Sequence, residues 1–373
     1  MRLAVVNLTS GGFSGGYEKY LQQILPILHA DGDVSKMFIF MPPTRRMGMI
    51  SEAGVIVWPR NDRFWGHRFL KKSLKERSVD VVFFPTARWV NTGGIPAVVM
   101  VRNMEPLIMP WSGHNLLARA RNMGRAIVAR RACDRASRII AVSDFVKDRI
   151  TNLWNIDSSR IGVVYHGCDG NAETTSPARP ATLDLGDGEL FIATAGSIRP
   201  ARGLEDLIEA MPMLRSSHPG LKLVIAGQSD SDTKQYERHL HFLADRRGVA
   251  SAIRWVGRAS RAEMNWCFAR CRAFVLTTRV EACPNTALEA MAHGCAIVAA
   301  ECPPMPEVLR ECATYYPAGN AGCLAEAIER TLGLGEDARS VIRRSAQRRA
   351  GDFTWDRCAA ATIRELKMAI ASP

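Results

Sequence analysis

Short apolar, β-branched runs alternate with longer amphipathic stretches along most of the chain, and that alternation predicts its architecture. In the first half RLAVVNL, MFIFMP, VIVWP, VDVVFFP, PAVVMV, RIIAVS and IGVVYHG read as strands. Between them YEKYLQQILPILHA, a basic stretch, a long arginine-rich stretch and DFVKDRITNLW carry helical periodicity. Strands that are apolar throughout are buried on both faces, which implies a mostly parallel sheet covered by helices on each side. Around residues 170–188 the run GNAETTSPARPATLDLGDG is rich in small residues, Pro and Gly, and reads as an interdomain connection. Alternation then restarts with LFIATAG, LKLVIAG, IRWVG, AFVLT and AIVAA, interleaved with LEDLIEAMPML, KQYERHLHFLADRR and AEMNWCFARC, then MPEVLREC and a helical tail. The pattern predicts an α/β chain with two doubly wound domains, 1–170 and 189–353, a linker at 171–188 and a terminal helix within 354–373.

Composition narrows the class. At 373 residues and 47% apolar the chain can bury two cores. No stretch approaches the ~18 to 20 continuous apolar residues of a membrane span, and MRLAVVNLTSGG lacks the long apolar region of a secretory signal. A cytoplasmic protein is expected. Ten cysteines show no paired CxxC spacing and read as small core residues in a reducing compartment. Cys267 and Cys271 could share a helix face, but no His or Cys cluster completes a zinc site, and no metal is expected.

The net charge of +12 is lopsided: residues 1–170 hold 24 Lys and Arg against 13 Asp and Glu, the remainder 25 against 24. RNDRFWGHRFLKKSLKER (60–77) mixes bases with Phe64, Trp65, Phe69 and Leu70, and residues 116–138 hold seven arginines. Such segments are either solvated helix faces or suit an anionic membrane surface, where each Lys or Arg near the lipid contributes about 1 kcal/mol. No nucleic-acid motif accompanies the charge, so nucleic acid is not expected as a partner.

The candidate chemistry centres on VEACPNTALEAMAHG, where seven residues separate Glu281 from Glu289. AFVLT (273–277) reads as a buried strand, Pro284 suits a first helical turn and Gly294 a left-handed exit. Glu281 then lies in the loop after the strand and Glu289 in the second turn of the helix. Ligands of open parallel sheets bind beyond the carboxyl ends of the strands, where acceptor-only carboxylates suit sugar hydroxyls. Taken alone, such a pair reads equally as a loop charge and a solvated helix face. The segment through Ala300 resembles the donor-site signature of retaining glycosyltransferase family 4. That resemblance, best over residues 190–310, implies the GT-B architecture: two doubly wound Rossmann-like domains facing across a cleft, with residues 354–371 returning to the first. It implies that Glu289 binds the nucleotide ribose and Glu281 the donor sugar, with Asn285 and Thr286 in the same site.

AGSIRPARGLEDLIEA follows a strand and opens a helix, placing Gly196, Ser197, Arg199 and Arg202 beside a helix N-terminus that favours anions. The segment is similar to the family's phosphate-binding stretch. Arg202 matches its Lys, whereas Ser197 stands where an Arg is common, leaving Arg199 as substitute. TSGGFSGGYEKY (9–20) puts four glycines between the first strand and helix and matches neither a dinucleotide nor a Walker A loop. The resemblance implies that Gly15 and Gly16 approach donor phosphates or acceptor; a plain turn is the alternative. VRNMEPL (101–107) ends a strand near where relatives place a His. Asn103 is a candidate for a sugar hydroxyl and Glu105 for orienting an acceptor, with a turn at Pro106 as the plainer reading. In YHGCD, His166 and Asp169 read as a structural crossover, and Ser143 as a helix cap. Asp230 and Asp232 form a DxD best explained as helix-capping aspartates.

The resemblance implies a metal-independent retaining transferase acting on a nucleoside diphosphate sugar, with no other cofactor and with a glycan or lipid-linked sugar as acceptor. Envelope polysaccharide or glycolipid assembly, lipopolysaccharide included, is the expected setting, at the inner face of the cell membrane. An epimerase or phosphorylase of the same fold and a non-catalytic sugar-nucleotide-binding subunit are the alternatives.

Overall fold

Nearly every apolar run predicted above forms a strand, most of them buried on both faces, so helices must cover each side of the sheets they build. The computed structural model describes residues 1–8, 15–41, 55–57, 63–108, 116–168, 176–186 and 188–371. The chain divides into two units, Met1–Gly167 with Trp355–Pro373, and Cys168–Thr354.

The first unit runs β1 (Arg2–Val6), α1 (Gly15–Ala30), β2 (Lys36–Met41), β3 (Val55–Val57), α2 (Arg63–Glu76), β4 (Val81–Phe84) and β5 (Ala97–Val101). It continues through α3 (Glu105–Ile108), α4 (Leu116–Arg135), β6 (Arg138–Ala141), α5 (Asp144–Trp154) and β7 (Ile161–Val163). The strands lie in the order β3-β2-β1-β4-β5-β6-β7, all parallel, with Val5 opposite Ile39 on one side and Phe83 on the other. Ser143 caps α5 as expected, its Oγ accepting from the Val146 N–H at 3.3 Å.

The second unit runs β8 (Phe191–Ala195), α6 (Leu204–Ser217), β9 (Lys222–Ala226), α7 (Lys234–Arg246), β10 (Ile253–Gly257), α8 (Arg261–Arg270) and β11 (Ala273–Leu276). Then follow α9 (Asn285–Ala292), β12 (Ile297–Ala300), α10 (Met305–Leu309), β13 (Ala313–Tyr316), α11 (Ala321–Leu332) and α12 (Glu336–Ala350). Its parallel order is β10-β9-β8-β11-β12-β13, over a core that includes Ile192, Leu207, Leu223, Val275, Val298 and Ile328. Strand β13 went unpredicted: ATYY is four residues long, partly exposed and followed directly by Pro317, so it gives little periodic signal. Residues 176–186 bond to this unit, with the Ala178 N–H donating to Ala262 O at 3.0 Å and Leu183 and Leu185 buried.

The last helix, α13 (Trp355–Ala371), packs in the first unit against α1, β4, β5 and β6. Its anchor is a buried ion pair: Arg138 of β6 meets the Glu365 carboxylate through Nη2 at 2.7 Å and Nε at 2.9 Å. Gly162 on β7 makes the room, since a Cβ there would lie 2.1 Å from that carboxylate. Nearby, His166 is buried against the rings of Tyr20 at 4.8 Å and Trp355 at 6.3 Å, a packing position that fits the structural reading. Two sequence expectations are corrected here. Arg138 is internal rather than part of a surface charge, and Leu70 of α2 is fully buried, so it anchors the core and no membrane. The side chains of Phe64 and Trp65, and Asp169, lie outside the described residues.

Removing one partner of a buried ion pair leaves the other charge uncompensated. Glu365→Ala is therefore expected to lower unfolding stability by about 3–5 kcal/mol, measured by chemical denaturation.

Candidate functional site

In each sheet the strand order reverses once, between β1 and β4 and between β8 and β11. Loops leaving the two strands at such a point diverge to opposite faces, opening a crevice at their carboxyl ends. In the second unit β8 and β11 are direct neighbours, with Ala273 opposite Ile192. The loops in question are therefore the arginine segment after β8 and the glutamate segment after β11.

The first of these begins with Gly196 at φ 139°, whose N–H donates to Ala226 O at 2.9 Å. The loop after β9 crosses it so closely that a Cβ on Gly227 would lie 1.8 Å from Gly196 O. Arg199, extended, then leads into a 3-10 turn over Pro200–Arg202, and Gly203 closes that turn at φ 60° while serving as N-cap of α6. Gly203 has no side chain to cap α6; the hydroxyl of Tyr236 accepts from the Leu204 N–H at 3.3 Å instead, at the positive end of the helix dipole.

The two loops are laced together. Thr277 Oγ1 donates to Arg202 O at 2.7 Å, the Arg279 N–H donates to Ala201 O at 2.9 Å, and Arg202 Nη1 donates to Thr278 Oγ1 at 3.2 Å. The same Nη1 stands 3.1 Å from Glu281 Oε2, with the two side chains only 17% and 20% exposed and thus partly shielded from solvent screening. Glu281 Oε1 accepts from the Ala282 N–H at 3.1 Å. A small hollow beneath this contact is lined by Thr194, Gly196, Ser197, Arg202, Thr277 and Thr278 among others.

Beneath the lacing sits Asp206, in the first turn of α6 and 4% exposed. Its Oδ1 accepts from Arg279 Nη2 at 2.9 Å, and its Oδ2 accepts from Tyr316 Oη at 3.1 Å and the Gly319 N–H at 2.8 Å. Burial works against the charge of Arg279, but the hydrogen bond and charge of Asp206 outweigh it and raise the guanidinium pKa. Next to it, Tyr236 donates to Glu205 Oε2 at 2.7 Å and accepts from the Leu204 N–H at 3.3 Å. Burial, then the contact with Glu205, push the Tyr236 hydroxyl well above its ordinary value and keep it a donor.

Beyond Glu281 the chain enters α9. Pro284 occupies the N-cap rather than the first turn, while Gly294 makes the left-handed exit at φ 70°. Asn285 and Thr286 form the first turn and Glu289 lies in the second, all half-buried. The structure thus brings Gly196, Ser197, Arg202 and Glu281 together and puts Arg199 at the head of the same turn. Asn103, Glu105, Gly15 and Gly16 belong to the other unit. There Asn103 Oδ1 accepts from the Glu105 N–H at 3.1 Å and starts the four-residue helix α3, a capping role in place of a loose turn. Gly15 and Gly16 open α1, and the glycine loop at 9–14 before them lies outside the described residues. Asp230 Oδ1 accepts from the N–H groups of Asp232 and Thr233 and from Thr233 Oγ1, all at 3.0 Å, so the DxD is a turn-capping device. Among the described residues no group of three or more His, Cys, Asp or Glu could hold a metal ion.

Sequence reasoning missed Asp206, Thr277, Thr278 and Arg279. Asp206 reads as a solvated first-turn acid, and its partners are 73, 110 and 113 residues away. The polar run TTR directly after an apolar strand was the available signal.

Comparison with known proteins places this geometry. The family model for glycosyl transferases group 1 matches residues 177–348, and that for glycosyltransferase family 4 matches residues 14–171. D-inositol 3-phosphate glycosyltransferase of Mycobacterium tuberculosis is 26% identical over 251 residues, which is 66% of this chain and 52% of the relative. The chain thus spans about half the length of the curated relatives it matches. Among solved structures, sucrose-phosphate synthase from Thermosynechococcus elongatus aligns at TM-score 0.78 with 16% identity over 100% of both chains. HepE of Anabaena in complex with UDP-glucose aligns at 0.77 with 18% identity, over 98% of this chain and 100% of that one. WaaG, a glycosyltransferase involved in lipopolysaccharide biosynthesis, aligns at 0.72 with 16% identity, over 97% and 99%. These likenesses establish the GT-B fold, two Rossmann-like domains.

A Cβ on Gly203 would lie 2.6 Å from the Thr277 carbonyl oxygen, at a φ that L-residues adopt at a cost. Gly203→Ala should lower stability by at least about 1–2 kcal/mol in chemical denaturation, because backbone has to move to relieve both penalties.

Proposed function

Because the chain belongs to the group 1 and family 4 glycosyltransferases, we propose that it is a retaining enzyme moving a sugar from a nucleoside diphosphate sugar to a hydroxyl acceptor. The observation that carries this reading is the adjacency of Arg202 and Glu281 at the reversal point of the second sheet, beside the N-terminus of α6. A diphosphate needs donors and positive charge; a sugar offers hydroxyls to an acceptor. Arg202, with Arg199 and the helix dipole, supplies the first. Glu281 supplies the second, and Glu289 is assigned the ribose.

Transfer forms a bond from the acceptor oxygen to the anomeric carbon as the bond to the terminal phosphate oxygen breaks. The electron pair goes to that oxygen, and the hydroxyl proton is released to it or to solvent. The charge that builds on the leaving diphosphate is what Arg202 is positioned to stabilise, by preorganised electrostatics rather than by a protein nucleophile. Each charged hydrogen bond to phosphate contributes roughly 1.5–3 kcal/mol against about 0.3–1 for the dipole, so the side chains dominate. Asn103 and Glu105 are the acceptor-side candidates, and a glycan or lipid-linked sugar in envelope polysaccharide or glycolipid assembly is the acceptor class we favour.

Peripheral attachment to an anionic membrane is supported by α4. Its exposed side chains include Arg121, Arg125 and Arg131 together with Ile127 and Val128, which are 46% and 47% exposed. No helix among the described residues is long and apolar enough to cross a membrane. Nucleic acid is not proposed as a partner.

Two experiments test these readings. Arg202→Ala is expected to cut sugar transfer by about tenfold to a hundredfold and Glu289→Ala to weaken nucleoside diphosphate binding about tenfold, with melting temperatures little changed. Normal transfer by both variants removes the donor-site assignment, while conversion of the sugar nucleotide to an isomer without acceptor and without nucleotide release points to an epimerase. Replacing Arg121, Arg125 and Arg131 with Glu should reduce co-sedimentation with anionic liposomes at low salt by about a hundredfold. Sedimentation unaffected by these changes, or absent in the parent chain, rejects the membrane reading.

A further inference from the structure

A bound sugar nucleotide requires Arg202 for its diphosphate and Glu281 for its sugar, yet the two side chains hold each other at 3.1 Å. Both are kept in place by other bonds. Arg202 Nη1 also donates to Thr278 Oγ1, and its guanidinium lies 3.0 Å from the Cβ position of Gly196. Glu281 is tied to the backbone of Ala282. Neither can swing far, so each chooses between the other and a ligand.

We propose that this ion pair makes the site discriminate the intact sugar nucleotide from the nucleoside diphosphate product. The inference rests on the donor reading above. An intact donor satisfies both members, because sugar hydroxyls donate to Glu281 while the diphosphate accepts from Arg202. After transfer the hydroxyls are gone, and a largely buried carboxylate left with the Ala282 N–H alone is costly. Glu281 then recaptures the guanidinium, competes with the diphosphate and weakens product binding. The carboxylate thus contributes to donor affinity and opposes product affinity, the two effects having opposite sign.

The test titrates inorganic pyrophosphate and UDP calorimetrically into the full chain, its Glu281→Gln and Glu281→Ala variants, and Arg202→Gln. Melting temperature is recorded for each. Both Glu281 variants should bind pyrophosphate about three- to tenfold tighter than the parent, while Arg202→Gln binds at least about tenfold more weakly. A purely structural role for Glu281 would lower stability and affinity together. Tighter anion binding with unchanged or lowered melting temperature is not accounted for by that role and supports the proposal. Unchanged or weaker binding by the Glu281 variants overturns it, and leaves the donor site standing if Arg202→Gln still loses pyrophosphate. If Arg202→Gln binds as the parent does, or no form binds either anion, the donor reading fails and the inference falls with it.

Discussion

Two loops that leave neighbouring strands in opposite directions have to be held at a fixed separation, and in the second unit a single carboxylate does most of that. Asp206 is buried, sits where α6 begins, and reaches Arg279 of the loop after β11 as well as Tyr316 at the end of β13 and Gly319 just after it. Through Arg279, whose backbone N–H meets Ala201 O, it fixes the turn that presents Arg202. A buried carboxylate is tolerable only when its lone pairs are filled, and here three donors fill them. Removing it would strand the Arg279 charge, which is why one acid can govern two loops.

This arrangement also decides which groups can receive an anion. Glu205 and Asp206 occupy the first turn of α6, where negative charge is stabilised by the dipole but would repel an incoming phosphate. Asp206 is matched by Arg279, and Glu205 accepts from the Tyr236 hydroxyl, so each acid is engaged below the crevice. The dipole is already partly spent on these two acids. On the proposed donor reading, what remains for a diphosphate is side-chain charge, chiefly Arg202, which is brought in by the 3-10 turn and the left-handed Gly203. The glycines at 203 and 227 let one loop approach another more closely than a side chain allows, and Gly196 leaves room for the Arg202 guanidinium within its own loop.

Features that depend on near neighbours in sequence were legible, and features that depend on distant partners were not. Alternating apolar runs named twelve of the strands seen, because a doubly covered parallel strand needs no partner to look apolar. Glu281 and Glu289 were visible as a pair because one loop and one helix carry both. Pro284 was placed one position too far into the helix, a local ambiguity at a boundary. The internal position of Arg138 was hidden, since its sign is explained by Glu365, 227 residues later. Asp206 and Arg279 escaped for the same physical reason: polar residues announce burial only through partners that folding brings to them. The cap that Asn103 Oδ1 places on the short helix α3 was likewise not legible, because the helix is only four residues long.

The distribution of charge separates two kinds of recognition. If long-range attraction chose the place of a diphosphate, the basic first half, with 24 bases against 13 acids, would be favoured over the second, with 25 against 24. Screening at physiological salt limits exposed charges to a range of about 8 Å, so what matters at a site is the charge beside it and not the net balance of a whole half of the chain. The second unit therefore needs no basic surface to bind an anion, only a partly shielded arginine at the end of a helix. It follows that the surplus of the first half is not there for the donor. Arg138 of β6 is neutralised inside the fold, whereas the arginines of α4 are largely exposed beside Ile127 and Val128. A cluster of that composition has the chemistry of a broad, multiply charged surface rather than of one small anion, which is what motivates the membrane proposal for the first half.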